Sequence, residues 1–408
     1  MKTKFTKLTS VFLAVIMIFG IFAVIPFTAS AATSGDFVYE VLNNGTAEIT
    51  GYSGSAETLT IPSELDGYTV TSLGRRAFYK CTSLTSVVIP DSVTSIGSWT
   101  FGMCNLTSVT LGNGLIIIGE YAFGGCKNLP NITIPNSVKI IDNYAFATCS
   151  SLTTIKIPDG VTRIGLNAFF SCTNLASVTI PDSVKSIGGS AFAKTALFNS
   201  QPDSVVYADG WALTYNGTMP ENTSIVLKDG TRGIADSAFN FFDNLESISI
   251  PESVTRIGYS VFKGCQNLKS VTIPESVTEI GESAFEGCKS LTEITIHENV
   301  TEIDSTAFND HSDELTIYGY TGSVAEAFAN EHDINFTSLG EVITKLLGDV
   351  NGDGKITIDD ATDIQKYLAN MLAFTDEQKV LADVDKDGKI SIDDVTLVQK
   401  VLAGMESF

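Results

Sequence analysis

The chain has 408 residues, 25 Lys and Arg against 47 Asp and Glu, and a formal net charge of −22. Its length is sufficient for two or three domains. A strongly acidic surface repels a phosphate backbone, so we expect no nucleic-acid partner, whereas solubility and the binding of divalent cations are favoured.

The first segment, residues 1–31, has the pattern of a secretory signal peptide. Three lysines precede an apolar run (11–25), and a small-residue cleavage site, Ala29-Ser30-Ala31, follows it. The alternative is an uncleaved membrane anchor, because the run approaches the length of a membrane span. We expect cleavage, secretion to the extracellular space, and no membrane span in the mature chain.

A motif with a period of 23 residues runs through most of the remaining chain. One unit reads LKSVTIPESVTEIGESAF (268–285), and its landmark is the final Phe. This period lies in the range of leucine-rich repeats, whose units stack into a solenoid of parallel strands. Leu, Val and Ile are predicted to face inward, and Pro ends the strand because it has no N–H to donate. The landmark Phe residues are at 78, 101, 123, 146, 169, 192, 239, 262, 285 and 308.

Each unit also carries an Ile-Gly step, as at Ile257-Gly258. Such a step predicts a backbone position with positive φ at the glycine. Asp stands in place of this glycine at Asp142 and Asp304, and a left-handed position tolerates Asp. Ala235 is an exception that this interpretation leaves unexplained.

All seven cysteines share one phase of the repeat, three residues after a landmark Phe. An odd number of cysteines in a secreted protein would otherwise suggest disulfides or a reactive thiol. The common phase predicts instead a buried ladder of small, reduced thiols. A disulfide between neighbouring rungs stays open as an alternative, because adjacent strands lie only about 4.8 Å apart. The cysteines are Cys81, Cys104, Cys126, Cys149, Cys172, Cys265 and Cys288.

The pattern IPxSVxxIGxxAFxxCxxLxxVxIP resembles the BspA-like (Treponema-type) leucine-rich repeats of bacterial surface and secreted proteins. The resemblance covers residues 36 to about 340, within a predicted repeat domain of 32–345. The opening FVYEVLNNGTAEITGYSG looks like the family's N-terminal cap, and IYGYTGSVAEAFANEHDINFTSLG like its closing cap of strand, short helix and strand. The family implies binding of a ligand or surface and not a reaction.

An atypical insertion at about 195–225 interrupts the period. It contains VVYADGWALTYNG (205–217), whose alternating apolar residues around a Gly predict a hairpin. Tyr207, Trp211 and Tyr215 are candidates for stacking on a sugar or a partner surface. The favoured alternative is that they pack over the gap in the core.

The outward strand residues between the inward ones form a second candidate surface. They are mostly Ser and Thr, as at Thr153-Thr154 and Ser177, with few aromatic residues. Solenoid faces of this kind bind partners, but any solvent-facing strand has the same composition. We therefore expect an unknown protein or glycan ligand of the repeat domain.

Catalytic signatures are sparse, and we predict no catalytic residue. His311 lies in the cysteine phase one rung beyond Cys288, which is the minimum for thiolate catalysis. The register alone produces this neighbour, no third orienting group is evident, and a regular solenoid offers no deep cleft.

The sequence predicts two calcium loops near the end of the chain, DVNGDGKITIDD (349–360) and DVDKDGKISIDD (383–394). Each has acidic or amide side chains at loop positions 1, 3 and 5, Gly at position 6, and Asp at position 12 where an EF-hand has Glu. Hard oxygen ligands of this number suit Ca²⁺, so we predict two ions. The predicted ligands are Asp349, Asn351, Asp353, Lys355 (carbonyl), Thr357 and Asp360, and Asp383, Asp385, Asp387, Lys389 (carbonyl), Ser391 and Asp394.

Each loop is followed by a sequence with helical spacing, and the two loop-helix units are 34 residues apart. This duplication resembles a type I dockerin, over residues 346–408. The resemblance implies a small all-α domain that folds with calcium and binds a cohesin module of a scaffoldin. It also implies cohesin-facing residues at loop positions 10 and 11 and in the exit helix, which are Ile358, Asp359, Gln365, Lys366, Ile392, Asp393, Gln399 and Lys400. Ile-Asp differs from the Ser-Thr pair of some dockerins.

Together these patterns predict a mixed fold, with a leucine-rich-repeat solenoid followed by an all-α calcium-binding dockerin. The predicted function is that of a secreted, non-catalytic binding or adhesion protein, held at the cell surface by a cohesin-bearing scaffold in a cellulosome-like complex. The alternatives are a cellulosomal hydrolase or protease with an unrecognised active site acting on plant cell-wall material, and a purely structural spacer.

Overall fold

The structure, a computed structural model, describes residues 31–341 and 346–407. The predicted signal peptide, apart from its last residue, lies outside the described residues. Two separate apolar cores are present, a long one within residues 39–334 and a small one within residues 350–398. The predicted fold class is confirmed, because the first core belongs to a parallel-strand solenoid of about 13 turns with period 23 and the second to a small helical region.

An antiparallel cap opens the solenoid. Strands β1 (Ala32–Ser34), β2 (Phe37–Val41) and β3 (Ala47–Tyr52) pair antiparallel, and β3 then pairs parallel with β6 (Tyr68–Leu73). The short strand β5 (Glu64–Leu65) returns antiparallel on β6. The cap thus covers the first rung, so that the sheet edge at the start of the parallel ladder is protected.

Two rows of short parallel strands form the solenoid. Rungs pair in register one repeat apart, as Ile118 with Ile141 and Ile155 with Val178, which places like residues in continuous ladders. One row contains β8 (Ser95–Ile96), β10 (Ile117–Ile118), β11 (Ile140–Ile141), β13 (Arg163–Ile164), β15 (Ser186–Ile187), β19 (Gly233–Ile234), β21 (Arg256–Ile257), β23 (Glu279–Ile280) and β25 (Glu302–Ile303). The other contains β4 (Thr58–Thr60), β7 (Ser86–Val88), β9 (Ser108–Thr110), β12 (Thr154–Lys156), β14 (Ser177–Thr179), β18 (Thr223–Val226), β20 (Leu245–Ser249), β22 (Ser270–Thr272) and β24 (Glu293–Thr295).

The landmark Phe residues stack in the core. From Phe78 to Phe192, neighbouring ring centroids lie 5.0–5.5 Å apart with nearly parallel planes. A second stack runs from Phe239 to Phe308. All ten rings are at most 2% exposed, so each contributes close to its full burial energy, about 1.5–3 kcal/mol.

The cysteine ladder has a hydrogen-bonding reason. The Cys172 Sγ donates to the Phe146 carbonyl oxygen at 3.1 Å, and the thiols of the other buried cysteines donate in the same way to the landmark Phe of the preceding rung. Six thiols are buried, Cys81 is half-buried, and all seven are free. The predicted burial of the ladder is therefore confirmed for six of the seven thiols, and a single residue type recurs because a small donor fits this carbonyl.

The prediction of positive φ at the Ile-Gly step is wrong. Gly258 and its counterparts have ordinary φ, and the left-handed residue lies two positions later, as at Ser260 (φ 51°). The glycine is needed for close approach, since a Cβ at Gly188 would overlap the backbone nitrogen of Leu166 in the preceding rung. Because this position is not left-handed, alanine can occupy it at Ala235 without an unfavourable φ.

The insertion folds as predicted, into a hairpin of β16 (Val205–Ala208) and β17 (Trp211–Tyr215), preceded by the short helix α1 (Ala196–Asn199). The hairpin connects the two parts of the parallel ladder that the insertion separates. The Ile180 N–H, whose counterparts donate to the next rung, donates to the Asp209 carboxylate at 2.6 Å. Arg232 donates to the carbonyl oxygens of Ile180 and Asp209, both at 2.6 Å.

The closing cap is confirmed as strand β26 (Thr316–Thr321), helix α2 (Val324–Glu331) and strand β27 (Asn335–Glu341). The C-terminal region contains helices α3 (Ile358–Leu368), α4 (Asp376–Ala382) and α5 (Ile392–Leu402). Helix α4 was not predicted. Its signal is the capping box that begins at Thr375, whose side chain accepts from the Gln378 N–H while the Gln378 side chain accepts from the Thr375 N–H.

Candidate calcium and docking sites

The first predicted calcium loop is organised by backbone N–H groups around its carboxylates. Asp349, which is 1% exposed, accepts from the N–H groups of Gly352 (2.8 Å) and Gly354 (2.8 Å). Asn351 and Asp353 each accept from the N–H two residues further on. Gly354, at position 6, has φ 80°, which only glycine adopts readily, and this bend turns the loop towards its exit helix.

The second loop repeats this arrangement with three carboxylates. Oxygens of Asp383, Asp385 and Asp387 lie within 4.8 Å of one another. The hydrogen bond from the Asp387 N–H lowers the pKa of Asp385, but burial and the neighbouring carboxylates of Asp394, Asp387 and Asp383 outweigh it and raise the pKa overall. This mutual repulsion among hard oxygen groups is relieved by a cation at their centre, so the donor set fits Ca²⁺.

The Asp at loop position 12 has a second role in both copies. Asp360 and Asp394 are fully buried and occupy the third position of their exit helices. Each accepts from the N–H of its own N-cap, at Thr357 (2.8 Å) and Ser391 (2.7 Å). Its other oxygen reaches back to the loop and accepts from the N–H of Val350 (3.0 Å) or Val384 (2.8 Å). One carboxylate thus joins the start of the loop to the start of the helix.

Thr357 and Ser391, predicted as position-9 ligands, are the N-caps of α3 and α5. Their side chains accept from the N–H groups of Asp359 (3.2 Å) and Asp393 (3.0 Å). Sequence reasoning missed this function, although Thr-x-x-Asp and Ser-x-x-Asp before an apolar run resemble the capping-box signature. Lys355 and Lys389 are exposed at position 7, and their N–H groups donate to the position-5 carboxylates.

All eight predicted cohesin-facing residues lie at the protein surface. Ile358 and Ile392, the first residues of α3 and α5, are 57% and 60% exposed, which is unusual for isoleucine. Asp359 and Asp393, which follow these two isoleucines, are exposed as well. So are the Gln and Lys one to two turns further along each helix. The inward faces of α3 and α5 pack Ala361 and Ile364 with Val395 and Val398. The two copies therefore offer the same side chains in the same local setting.

The two surfaces differ in one ion pair. Lys366 pairs with Asp363 at 2.7 Å within its own helix, whereas Lys400 pairs with Glu406, beyond the end of α5, at 2.9 Å. Both pairs are solvent-exposed, so each contributes little stability. The two lysines are thus held by different carboxylates, which affects how readily each of them can contact a partner.

The aromatic residues of the insertion serve the fold. Trp211 is 5% exposed and lies against Gly233. The Tyr207 hydroxyl accepts from the Lys228 N–H at 3.0 Å, and Tyr215 packs edge-on against Phe242. These contacts support the interpretation that the aromatics pack over the gap in the core.

The Cys288–His311 pair shows no catalytic arrangement. The Cys288 thiol is buried and donates to the Phe262 carbonyl oxygen, and burial raises its pKa well above the ordinary range of a thiol. His311 Nδ1 is 2.7 Å from the Ser312 carbonyl oxygen. A buried thiol with a raised pKa supplies no thiolate nucleophile near neutral pH.

Comparison with known families agrees with this architecture. The family model of the BspA type leucine rich repeat region matches residues 71–199 and 216–346, and the model of the dockerin type I domain matches residues 347–403. The chain belongs to the BspA-type leucine-rich repeat family and carries a C-terminal type I dockerin domain. No catalytic family is indicated.

Solved structures of bacterial leucine-rich repeat proteins are similar. A leucine rich cell surface protein from Faecalibacterium prausnitzii A2-165 is 31% identical, with 76% of this chain and 94% of that chain covered and a TM-score of 0.41. A leucine rich repeat protein of T. pallidum is 26% identical (64% and 91% covered, TM-score 0.32). One from Bacteroides ovatus ATCC 8483 is 20% identical (76% and 99% covered, TM-score 0.32). None of the curated proteins matches the chain.

The dockerin makes calcium and cohesin the ligand classes of the C-terminal region, because type I dockerins bind calcium and dock on cohesins. Together with the repeats it indicates a binding or adhesion component of the cellulosome type and suggests a secreted protein. Among the described residues, no helix combines the length and apolar character that crossing a membrane requires.

Proposed function

We propose that this protein is a secreted, non-catalytic binding protein, which a calcium-dependent dockerin attaches to a cohesin-bearing scaffold at the cell surface. The observation that carries the proposal is the duplicated, exposed Ile-Asp pair at the start of two exit helices that share one small core. The predicted boundaries, with a signal peptide at 1–31, a repeat domain at 32–345 and a dockerin at 346–408, are part of this proposal.

Two calcium ions are proposed, one for each loop. The ligands are the twelve residues predicted above, with the carbonyl oxygens of Lys355 and Lys389 at position 7. The buried Asp360 and Asp394 support this assignment, because a fully buried carboxylate is costly unless it is paired or bound to a cation. Calcium supplies the missing positive charge and thereby holds each loop against its helix.

The duplication supports docking by either copy. Ile358 and Ile392 each place an exposed apolar side chain beside an exposed Asp, with Gln and Lys further along the same helix. From the duplicated sequence we infer a twofold relation between the copies, which would present the same residue types after half a turn of the domain. One cohesin would therefore have two closely similar ways to bind.

The solenoid is proposed to hold the ligand, and the dockerin to attach it. The buried thiols offer no nucleophile for a thiol protease, and no catalytic family is indicated, so we favour a binding role over a hydrolase or protease. The ligand classes are a protein or a glycan.

Calorimetry of the full chain against a panel of cohesins tests the docking proposal. It is run with calcium and with chelator, for the wild type and for the variants Ile358→Ala/Asp359→Ala, Ile392→Ala/Asp393→Ala and their combination. We expect calcium-dependent binding that survives either pair of changes and is lost in the combination. Val380→Ala, which removes another exposed apolar side chain of the same domain, is the matched control. No binding to any cohesin with calcium present would refute attachment to a scaffold.

A further inference from the structure

Four aromatic side chains form a row along the turns of the N-terminal rungs. They belong to neither the apolar core nor the dockerin. Tyr79 meets Trp99 edge-on, with ring centroids 5.6 Å apart. Trp99 stacks on Tyr121 at 4.1 Å, and Tyr121 stacks on Tyr144 at 4.4 Å, with planes within 8° of parallel. All four rings are half-buried. We call this row, Tyr79, Trp99, Tyr121 and Tyr144, the aromatic strip.

The fold does not require aromatic residues there. Trp99, Tyr121 and Tyr144 occupy the left-handed position of their rungs, with φ of 60°, 52° and 57°. Later rungs have serine at the same position, at Ser190, Ser237, Ser260 and Ser283. Positive φ is unfavourable for bulky side chains. The aromatic residues at these positions therefore have a higher conformational energy than the serines of the later rungs. Strain of this kind, kept where a smaller residue fits, points to function.

Charge is distributed unevenly along the solenoid. Residues 67–200 contain nine Lys and Arg against five Asp and Glu, a net charge of +4. Residues 201–341 contain six against 23, a net charge of −17. The aromatic strip thus lies on the positive stretch of an otherwise acidic chain.

Three exposed cations stand at the N-terminal end of the strip, Arg75, Arg76 and Lys80. The Arg76 guanidinium carbon and the Lys80 ammonium lie 5.4 and 5.2 Å from the centroid of the Tyr79 ring. Among the described residues none of the three forms an ion pair. In contrast, Lys263, Lys269 and Lys289 of the acidic half each pair with a carboxylate.

The stacking decides which chemistry the strip recognises. Trp99, Tyr121 and Tyr144 cover one another's faces, so the surface presents ring edges. Ring edges are the electropositive part of an aromatic quadrupole, whereas stacking on a neutral sugar requires an open face. Edges and cations together favour an anionic partner.

The shape of the strip favours a linear partner. It is one side chain wide and advances by one rung per ring, a spacing similar to that of successive pyranose units in an extended polysaccharide. A stable protein partner would instead need a patch of about 800 Å². We propose that the aromatic strip, with Arg75, Arg76 and Lys80 at its end, binds an extended acidic polysaccharide of the polyuronate class.

This inference rests on the proposed role of the solenoid as the ligand-binding part and is independent of the docking surfaces. Calorimetry of the full chain with tetragalacturonate, at calcium concentrations that saturate the dockerin, tests it. The fully methyl-esterified tetramer is the neutral probe of the same backbone. We expect at least about tenfold tighter binding of the acid than of the ester, weakening as salt is added.

Two variants and one control locate the site. Trp99→Ser/Tyr121→Ser/Tyr144→Ser uses the residue that other rungs hold at this backbone position, and Arg75→Gln/Arg76→Gln/Lys80→Gln removes the cations. Each should weaken tetragalacturonate binding at least about tenfold with unchanged circular dichroism. The control, Lys263→Gln/Lys269→Gln/Lys289→Gln, removes as many charges from the acidic half and should bind as the wild type does.

Equal affinity for acid and ester, or no binding of tetragalacturonate by the wild type, would overturn the proposal. A wild-type dimer in sedimentation that the strip variants dissociate would overturn it too, and assign the strip to a second copy of the chain. Cohesin binding is measured on the same variants. If cohesin binding is absent while tetragalacturonate still binds, the docking proposal fails alone and the aromatic strip stands.

Discussion

The solenoid and the dockerin are both built by duplication, but they bury different chemistry. Every solenoid rung stacks on the next, so that Phe, Ile and Cys form ladders in one continuous apolar core. The dockerin has two copies and a core of eight buried apolar residues, with the carboxylates of Asp349, Asp360 and Asp394 buried beside it. A translational repeat therefore stabilises itself by hydrophobic burial, whereas we expect the duplicated loops to need a cation to complete their interior.

Calcium removal should separate the two regions most clearly. Chelator, or the double change Asp349→Ala/Asp383→Ala, should abolish cohesin binding and the folding of the dockerin, because the loop N–H groups lose their acceptors and the ions their ligands. The solenoid should melt at the same temperature as in the wild type. Scanning calorimetry with and without calcium measures both transitions.

Asp376→Ala, which removes an exposed carboxylate outside the loops, is the control. A solenoid transition that falls with chelation would show that the two regions do not stabilise themselves separately.

Thiol alkylation tests the burial of the cysteines in the solenoid. Burial raises the pKa of Cys104 and of Cys265 to about 12, from an ordinary 9.0. At pH 8 their thiolate fraction is about a thousandfold below that of an ordinary thiol. Mass spectrometry after iodoacetamide treatment at pH 8 should find the half-buried Cys81 modified first and the buried thiols unmodified, and all seven modified in urea.

The same pKa values predict a loss of stability in alkali. A folded pKa above the unfolded value means that the contribution of each neutral thiol is complete below pH 9 and is lost as the pH rises towards 12. Urea unfolding at pH 8 and pH 10.5 measures this. Rapid alkylation of Cys172 in the folded protein would contradict the hydrogen-bonded ladder.

Phe169→Ala should cost about 3–5 kcal/mol of solenoid stability, since it opens a cavity between two stacked rings. The dockerin transition should not move. Phe241, 64% exposed at a turn, is the matched control, and Phe241→Ala should change stability by less than about 0.5 kcal/mol. Chemical unfolding of the two variants compares them. Equal effects would mean that the Phe stack does not hold the rungs together.

The smallest effects test the corrected role of the repeat glycine. Gly188→Ala should destabilise the solenoid by about 1–3 kcal/mol, because the new Cβ overlaps the preceding rung. Ser283→Gly, at φ 55°, should stabilise it by up to about 1 kcal/mol, because the strain of a left-handed non-glycine residue is relieved. Thermal melts show whether each variant is more or less stable than the wild type. A stabilised Gly188→Ala variant would contradict the close approach of the two rungs, and a destabilised Ser283→Gly variant would contradict the strain at Ser283.

Much of the fold was predictable because repetition amplifies weak signals. The period, the Phe and Cys phases and the hairpin at 205–217 follow from residue spacing, and both caps were expected from the resemblance to the repeat family. Helix α4 was missed, since a single seven-residue helix has no repeat to reveal it. The candidate calcium ligands were predicted from their spacing, whereas the capping function of Asp360 and Asp394 required the hydrogen bonds.

The sequence by itself determined that there are two repeating regions, where they lie, and which residue types recur in each. Local spacing is sufficient for this, because a residue's phase within a repeat decides whether it faces inward. Only the tertiary structure decided what each phase does. The glycine admits a neighbouring backbone, the thiol meets a Phe carbonyl, and four aromatics align into a strip, because these contacts join residues of different rungs that are more than 20 positions apart.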